Sequence, residues 1–276
     1  MDHQIIEASV KRALKEDRAK NDLSLSVLKE FSNKIITAKL TVNENALLSG
    51  TKWFEESFRQ LEPKIRVKWN FKEGERLPKN SLVATIRGPA SPILSGERTA
   101  LNFLQFMSGI SSKTSAIKKT IKNKNIKLLD TRKTIPGMRH EQKYATSVGG
   151  AKNHRFDLSD GLMIKDNHIA VVEGIENFNF RKNLKKGKFL EIEVKKLSQI
   201  KPALKLNPDI IMLDNLKYSS LAKALSIINK KCMVEISGIK NEKHFKEISE
   251  LDIDFISLGD LTKNISSIDF SLNLNA

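Results

Sequence analysis

Six short apolar runs, each with a polar residue or glycine at or next to its end, recur through the second part of this 276-residue chain: IKLLD (126–130), GLMIK (161–165), FLEIEV (189–194, with Glu193 within it), DIIMLD (209–214), CMVEIS (232–237) and DFISLG (254–259). They lie roughly 20–35 residues apart, and stretches between them, such as SSLAKALSIINKK and NEKHFKEISEL, carry apolar residues at helical spacing. Short runs of this kind suit strands buried on both faces, as in a parallel sheet covered by helices. Repeated β-α units in this number close, or nearly close, into a barrel. The expected architecture is therefore α/β, with a TIM-like (incomplete, six- or seven-stranded) β/α barrel. In such barrels the ends of the strands share one functional rim. Asp130, Lys165, Glu193, Asp214, Ser237 and Gly259 fall at or near that rim.

The first part has another rhythm. IIEASVKRALKED places Ile5, Ile6, Val10 and Leu14 near helical spacing, and TKWFEESFRQLE also reads as a helix. KIITAKLTV, IRVKWNF and LVATIRG read as strands. In SGERTALNFLQFMSGI, Ser95 is a candidate N-cap, followed by Leu101, Leu104 and Met107 on one face. Residues 1–110 are thus expected to form an N-terminal α/β sandwich domain and residues 111–265 the barrel. The break is placed near 108–115, where SGISSKTS interrupts the pattern, and the tail 266–276 is a candidate to return to the first domain.

Composition bounds the function classes. The net charge is +16, and residues 1–110 hold 18 basic and 13 acidic side chains, so most of the excess lies in the barrel part. An anionic partner is implied: nucleic acid, anionic lipid or phosphorylated metabolites. Aromatic residues make up only 6% and no nucleic-acid-binding module is recognisable, which argues against nucleic acid. No apolar run approaches the ~20 residues of a membrane span. The N-terminus mixes acids among its bases, unlike a targeting peptide, and a cytoplasmic location is expected. The single Cys232 sits in an apolar run and reads as a small buried hydrophobe.

The rim concentrates charge. Arg132, Lys133, Arg139, His154, Arg155 and Lys165 are expected on one side, with Glu193 and Asp214 from the next strands. Arginine forks bind planar carboxylates and lysine suits phosphate as a point charge. If the strands carrying Glu193 and Asp214 are neighbours, about 4.8 Å apart, the two acids could share Mg²⁺ or grip sugar hydroxyls. The glycine of EISGIK, Gly238, suits a phosphate at a helix N-terminus. Singly, each has a plain alternative as a surface ion pair, a strand-end acid or a turn. His154 and His168 lack the i, i+4 spacing of a zinc pair.

DTRKTIPGMR, KYATSVGGAKNHR and LMIKDNHI resemble the signature of nicotinate-nucleotide pyrophosphorylase (carboxylating), the quinolinate phosphoribosyltransferase family. ERTALNFLQFMSGIS upstream and EIEV, IIMLDN, EISG and FISLG downstream extend the resemblance in order over most of the chain. It implies transfer of phosphoribosyl from phosphoribosyl pyrophosphate to quinolinate with decarboxylation. The products are nicotinate mononucleotide, pyrophosphate and CO₂, with Mg²⁺ as cofactor. By motif, Arg98 resembles an arginine donated across a homodimer interface. Arg132, His154 and Arg155 resemble the holders of the quinolinate carboxylates. Lys133 and Lys165 resemble lysines near the reacting carboxylate and the phosphates. Glu193 and Asp214 resemble acids on the ribose hydroxyls and Mg²⁺, directly or through water. Ser237, Gly238 and Gly259 resemble parts of the phosphate loops.

The chain departs from the family pattern at several points. EDRAKNDLS lacks both expected glycines, with Ala19 and Asn21 in their place and Ser24 for threonine. SGIK has Ile239 for a second glycine, followed by Lys240, and LGD puts Asp260 in place of a small residue. Glu141, Gln142, Thr146 and Ser147 also differ. A divergent paralogue acting on another acceptor, or a binding protein without turnover, are the alternatives these departures leave.

Overall fold

The computed structural model describes residues 2–178, 187–239 and 242–274. Lys240 lies outside them. In chain order the elements begin with α1 (His3–Glu16), β1 (Ile35–Val42), β2 (Ala46–Leu47), α2 (Thr51–Arg59), β3 (Arg66–Trp69), β4 (Arg76–Leu77), β5 (Leu82–Pro89) and α3 (Ala90–Thr120). Strand and helix then alternate: β6 (Lys127–Leu129), α4 (Arg139–Val148), β7 (Gly161–Ile164), α5 (Asp166–Val171), β8 (Phe189–Val194), α6 (Ile200–Lys205), β9 (Ile210–Asp214), α7 (Tyr218–Ile228), β10 (Met233–Ser237), α8 (Glu242–Ile248), β11 (Phe255–Ser257) and α9 (Asp260–Lys263). The last strand is β12 (Phe270–Leu274).

Packing divides the chain into two units. The first comprises 1–116, 135–150 and 261–276, and the second 117–134 and 151–260. The expected boundary lies at 110/111, with 266–276 a candidate to return to the first domain. By packing, α4 and the residues from 261 onward also belong with the first unit.

In the first unit an antiparallel sheet runs β12-β1-β5-β3. β12 pairs with β1 from Ala38↔Leu274 to Val42↔Phe270, so the end of the chain completes the sheet on which the unit is built. Ala38, Leu40 and Val42 alternate onto the buried face with Ile86 of β5, Phe54 and Phe58 of α2, and Leu104 of α3. That period of two is what one covered face requires. A second cluster gathers Ile6, Val10 and Leu14 of α1 around Trp53, Phe103 and Met107, and Trp53 Nε1 donates to Ser9 Oγ at 3.0 Å.

Two sequence expectations are corrected here. Ser95 is not an N-cap: α3 starts at Ala90, and Ser95 Oγ donates back to the Ser91 carbonyl inside the helix. Nor does SGISSKTS break the pattern, since α3 runs through it to Thr120. Its hydroxyls serve packing instead. Ser108 Oγ accepts from Ser49 N–H and donates to Ser49 O, Ser111 Oγ donates to Leu47 O, and Ser112 Oγ accepts from Leu47 N–H. Small hydroxylated side chains let a backbone edge lie against the helix with its polar groups satisfied. The atypical Gln142 is fully buried and uses both ends of its amide. Its oxygen accepts from Ile135 N–H and its nitrogen donates to Thr262 O. A carboxylate could make only the first of these bonds.

The second unit is a TIM-like β/α barrel. Its six strands are parallel in the order β6-β11-β10-β9-β8-β7. A single parallel bridge, Leu129↔Lys152, adds a rung beside β6, and no pairing joins β6 to β7 among the described residues. The barrel is therefore incomplete, with its C-terminal strand ends on one rim. No helix among the described residues is long and apolar enough to cross a membrane.

Candidate active site

The rim encloses a cleft of about 640 Å³ within the barrel unit. Each wall residue follows from strand direction: parallel strands all deliver their last residues to the same end. The loop after β6 gives Arg132 and Lys133, the loop before β7 gives His154 and Arg155, and β7 leads into Lys165. Glu193 is the last residue but one of β8, and β9 and β10 end in Asp214 and Ser237, the latter followed by Gly238. Met163 and Met212 line it between the charged groups. Nine of the expected site residues thus meet in one cleft, with the atypical Ile239 also in its lining.

The carboxylate side is held in place by lysines. β8 and β9 are neighbours, with Glu193 opposite Met212 and Val194 opposite Leu213. Lys165 Nζ lies 3.4 Å from Glu193 Oε2, and Lys195 Nζ lies 3.9 Å from Oε1. Lys195 also pairs closely with Asp166, which holds the Asp166 carboxyl below the usual range. Asn215 Nδ2 donates to Asp214 Oδ2 at 2.8 Å. A Cβ on Gly238 would sit 2.5 Å from the Asn215 side chain, and Gly238 has φ +79°, so this turn requires glycine twice over.

The cationic side is crowded. The Arg155 guanidinium is pushed below its ordinary pKa by burial and then by the charge of Arg132. Arg132 Nε is buried without a hydrogen-bond partner within the described protein. A buried orphan donor beside a second guanidinium is a site an anion stabilises.

His154 lines the cleft, and both of its ring nitrogens face protein atoms. Its Nδ1 accepts from Arg155 N–H at 2.7 Å. Its Nε2 lies 3.1 Å from Glu191 Oε2 and 3.3 Å from Glu235 Oε2, both glutamates being fully buried. Burial opposes the imidazolium and the two carboxylates favour it, and their upward pull keeps a proton on Nε2, the nitrogen that faces them. A proton on Nδ1 would set N–H against the Arg155 N–H. That backbone contact is fixed by the chain and holds the ring as the Nε2–H tautomer. The Glu191 carboxyl is itself pushed up, by burial more than by the Glu235 charge.

Other expected rim residues fall elsewhere. Asp130 is buried and accepts from His154 N–H at 2.9 Å, so it supports the loop rather than lining the cleft. Arg139 begins α4 and belongs to the first unit. Gly259 does not line the cleft; a Cβ there would lie 2.8 Å from the Lys133 stem, so its role is to let that stem pass. Arg98 lies on α3 in the first unit, in a separate hollow with Arg12 and Asp17. Sequence reasoning missed Glu191, Glu235, Asn215 and Lys195. A signal existed for two of them: Glu191 precedes Glu193 by two in β8, and Glu235 precedes Ser237 by two in β10, so each shares a face with a rim residue.

Comparison with known proteins covers both parts of the chain. Residues 22–108 match the N-terminal domain, and residues 110–273 the C-terminal domain, of the family described as quinolinate phosphoribosyl transferase. A probable nicotinate-nucleotide pyrophosphorylase [carboxylating] of Bacillus subtilis is 31% identical, over 99% of this chain and 95% of its own length. One from Methanocaldococcus jannaschii is 41% identical over 76% of this chain and 77% of its own. The crystal structure of NadC from Streptococcus pyogenes superposes with a TM-score of 0.94 at 35% identity, covering 100% of this chain and 98% of that one. With both domains matched in order and the cleft on the expected rim, the chain belongs to the quinolinate phosphoribosyl transferase family.

Proposed function

We propose that this chain transfers phosphoribosyl from phosphoribosyl pyrophosphate to quinolinate, releasing pyrophosphate and CO₂ and forming nicotinate mononucleotide for NAD synthesis. The observation that carries this reading is one cleft lined by Arg132, Lys133, Arg155 and Lys165 together with Glu193 and Asp214. Quinolinate is a planar dianion, and guanidinium forks at Arg132 and Arg155 suit its carboxylates. The second substrate brings a 5′-phosphate and a pyrophosphate, matched by lysines and by the Ser237–Gly238 turn. Gly259, behind the Lys133 stem, serves the phosphate end indirectly.

The chemistry follows from placement. Both substrates held on one rim make the attack of the pyridine nitrogen on the sugar C1 effectively unimolecular. As the C1–O bond to pyrophosphate breaks, C1 gains oxocarbenium character, which the Glu193 carboxylate stabilises while Asp214 fixes the ribose hydroxyls. Lys165 faces the growing charge of the leaving group. The electron pair left when the C2–carboxylate bond breaks stays on C2, where the positive charge of the adjacent pyridinium nitrogen stabilises it until a proton arrives. C2 takes up a proton and Lys133 guides the departing carboxylate.

Mg²⁺ is the cofactor of this reading. The donor set fits: two carboxylates from neighbouring strands offer the one or two protein oxygens that Mg²⁺ takes beside substrate phosphates and water. When bound, it supplies charge neutralisation of the pyrophosphate. The working unit is a homodimer in the cytoplasm, with Arg98 reaching the neighbouring subunit's cleft.

The test is direct. Purified chain incubated with quinolinate, phosphoribosyl pyrophosphate and Mg²⁺ should form nicotinate mononucleotide with one CO₂ per turnover, and nicotinate in place of quinolinate should give none. Absence of product with quinolinate, or equal product with nicotinate, would overturn the assignment.

A further inference from the structure

Beneath the cleft lies a group that the reaction above does not use. Glu191 on β8 and Glu235 on β10 flank β9, and both side chains are fully buried. Their Oε2 atoms stand 3.1 and 3.3 Å from His154 Nε2. Neither contact is aligned as a full hydrogen bond; the ring edge is held between two carboxylates. Burying one carboxylate is costly and burying two together more so, and well-packed apolar side chains of similar size would serve stability at least as well. Elsewhere β8 and β10 bury apolar side chains, Leu190, Ile192, Val234 and Ile236. The glutamates therefore need a reason other than filling space.

The geometry points to Glu191 and Glu235 as positioning residues for quinolinate, acting through His154 on Arg155; this rests on the functional reading above. The connection is continuous. The carboxylates fix the ring edge, and the ring's Nδ1 accepts the Arg155 N–H at 2.7 Å. Asp130 Oδ1 accepts the N–H of His154 itself at 2.9 Å. The 153–155 backbone is thus tied at consecutive amides. From that backbone the Arg155 guanidinium donates to the Gly161 carbonyl at 3.3 Å and stands beside Arg132 in the cleft wall. Two guanidiniums that repel each other must be held in register if both are to grip one planar dianion, since a fork misaimed by about an ångström forfeits most of its advantage. The buried anions counter that repulsion from below and fix the direction of one fork. They touch no substrate.

The test uses the full-length chain and separates the two substrates. Glu235→Ala should raise the KM for quinolinate about ten- to a hundredfold, as loss of a supporting contact behind a ligand does, and leave the KM for phosphoribosyl pyrophosphate within about twofold. Glu235→Gln, which keeps an acceptor oxygen of the same reach, should recover part of the loss. An unchanged quinolinate KM in Glu235→Ala, or an equal rise in both KM values, overturns the proposal. So does one metal ion per chain in purified wild-type protein that disappears in Glu235→Gln, since the cluster would then be a metal centre. A second readout needs neither turnover nor a folded variant. In ¹⁵N-histidine-labelled wild-type protein the His154 ring should carry its proton on Nε2, with Nδ1 bare and accepting. An Nδ1–H ring breaks the link to Arg155 and refutes the idea. Should the wild type form no mononucleotide, the functional reading fails by itself, and the ring measurement still judges this one.

Discussion

The Gly-Gly pair at 149–150 gives a prediction whose sign is decided by geometry. Gly149 ends α4 with ordinary helical angles, φ −67° and ψ −7°. On conformational grounds alone, Gly149→Ala should stabilise the chain by about 0.4–1 kcal/mol, because alanine has less freedom to lose on folding. The surroundings say otherwise. A Cβ there would lie 2.5 Å from Thr114 Cβ, 2.6 Å from the Ser111 carbonyl oxygen and 2.9 Å from Thr114 Cγ2. Ser111 and Thr114 are fully buried on α3, and a carbonyl inside a helix cannot turn aside. Ordinary contact requires the end of α4 to move off α3 by about 0.9 Å, and such overpacking costs about 1–3 kcal/mol. The net expectation is destabilisation by about 1–2 kcal/mol, a drop in Tm of about 2–8 °C for a chain of this size. Thermal unfolding followed by circular dichroism at matched concentration reads it. A Tm equal to or above that of the wild type would mean that the helix ends are not packed this closely.

Other expectations follow from the same structure. Arg132→Ala and Lys133→Ala should each abolish quinolinate-dependent CO₂ release while Tm stays within about 2 °C of wild type, both side chains being partly or wholly exposed; near wild-type release from either contradicts the role assigned to the basic wall. Mixing inactive Arg98→Ala and Lys133→Ala chains after reversible dissociation should restore about a quarter of wild-type activity, because each mixed dimer would regain one complete site; no recovery would sink the shared-site dimer. Burial pushes the Cys232 thiol up, so in native protein it should react with a disulfide reagent at pH 7.5 at least about tenfold more slowly than in unfolded protein, and equal rates would contradict this.

How much was legible in the sequence differs between the scaffold and the site. The six apolar runs correspond to β6–β11, because a strand buried on both faces is mostly apolar and turns polar near where that burial stops. The resemblance in DTRKT, KNHR and IKDNH supplied the site residues, and the cleft gathers them because those motifs sit at strand ends. α3 was misread because SGISSKTS looks like a breaker. Its hydroxyls bond to the backbone around Leu47 and Ser49, about 60 residues away in sequence, a partner no local pattern reveals.

The sequence by itself determined the alternation of strand and helix, the polarity of each strand end and the basic character of the rim, since all three are local consequences of burial and charge. Only the tertiary structure decided what those side chains do. Strand order placed Glu191 and Glu235 on either side of β9, close enough to hold one imidazole. The tertiary structure also brought Arg155 N–H to His154 Nδ1 and the two glutamates to Nε2, so that both ring nitrogens face protein atoms. Packing assigned α4 and the C-terminal strand to the first unit. Each of these depends on residues that meet only when distant parts of the chain come within a few ångströms, and the free energy of such meetings belongs to the pair and not to either residue.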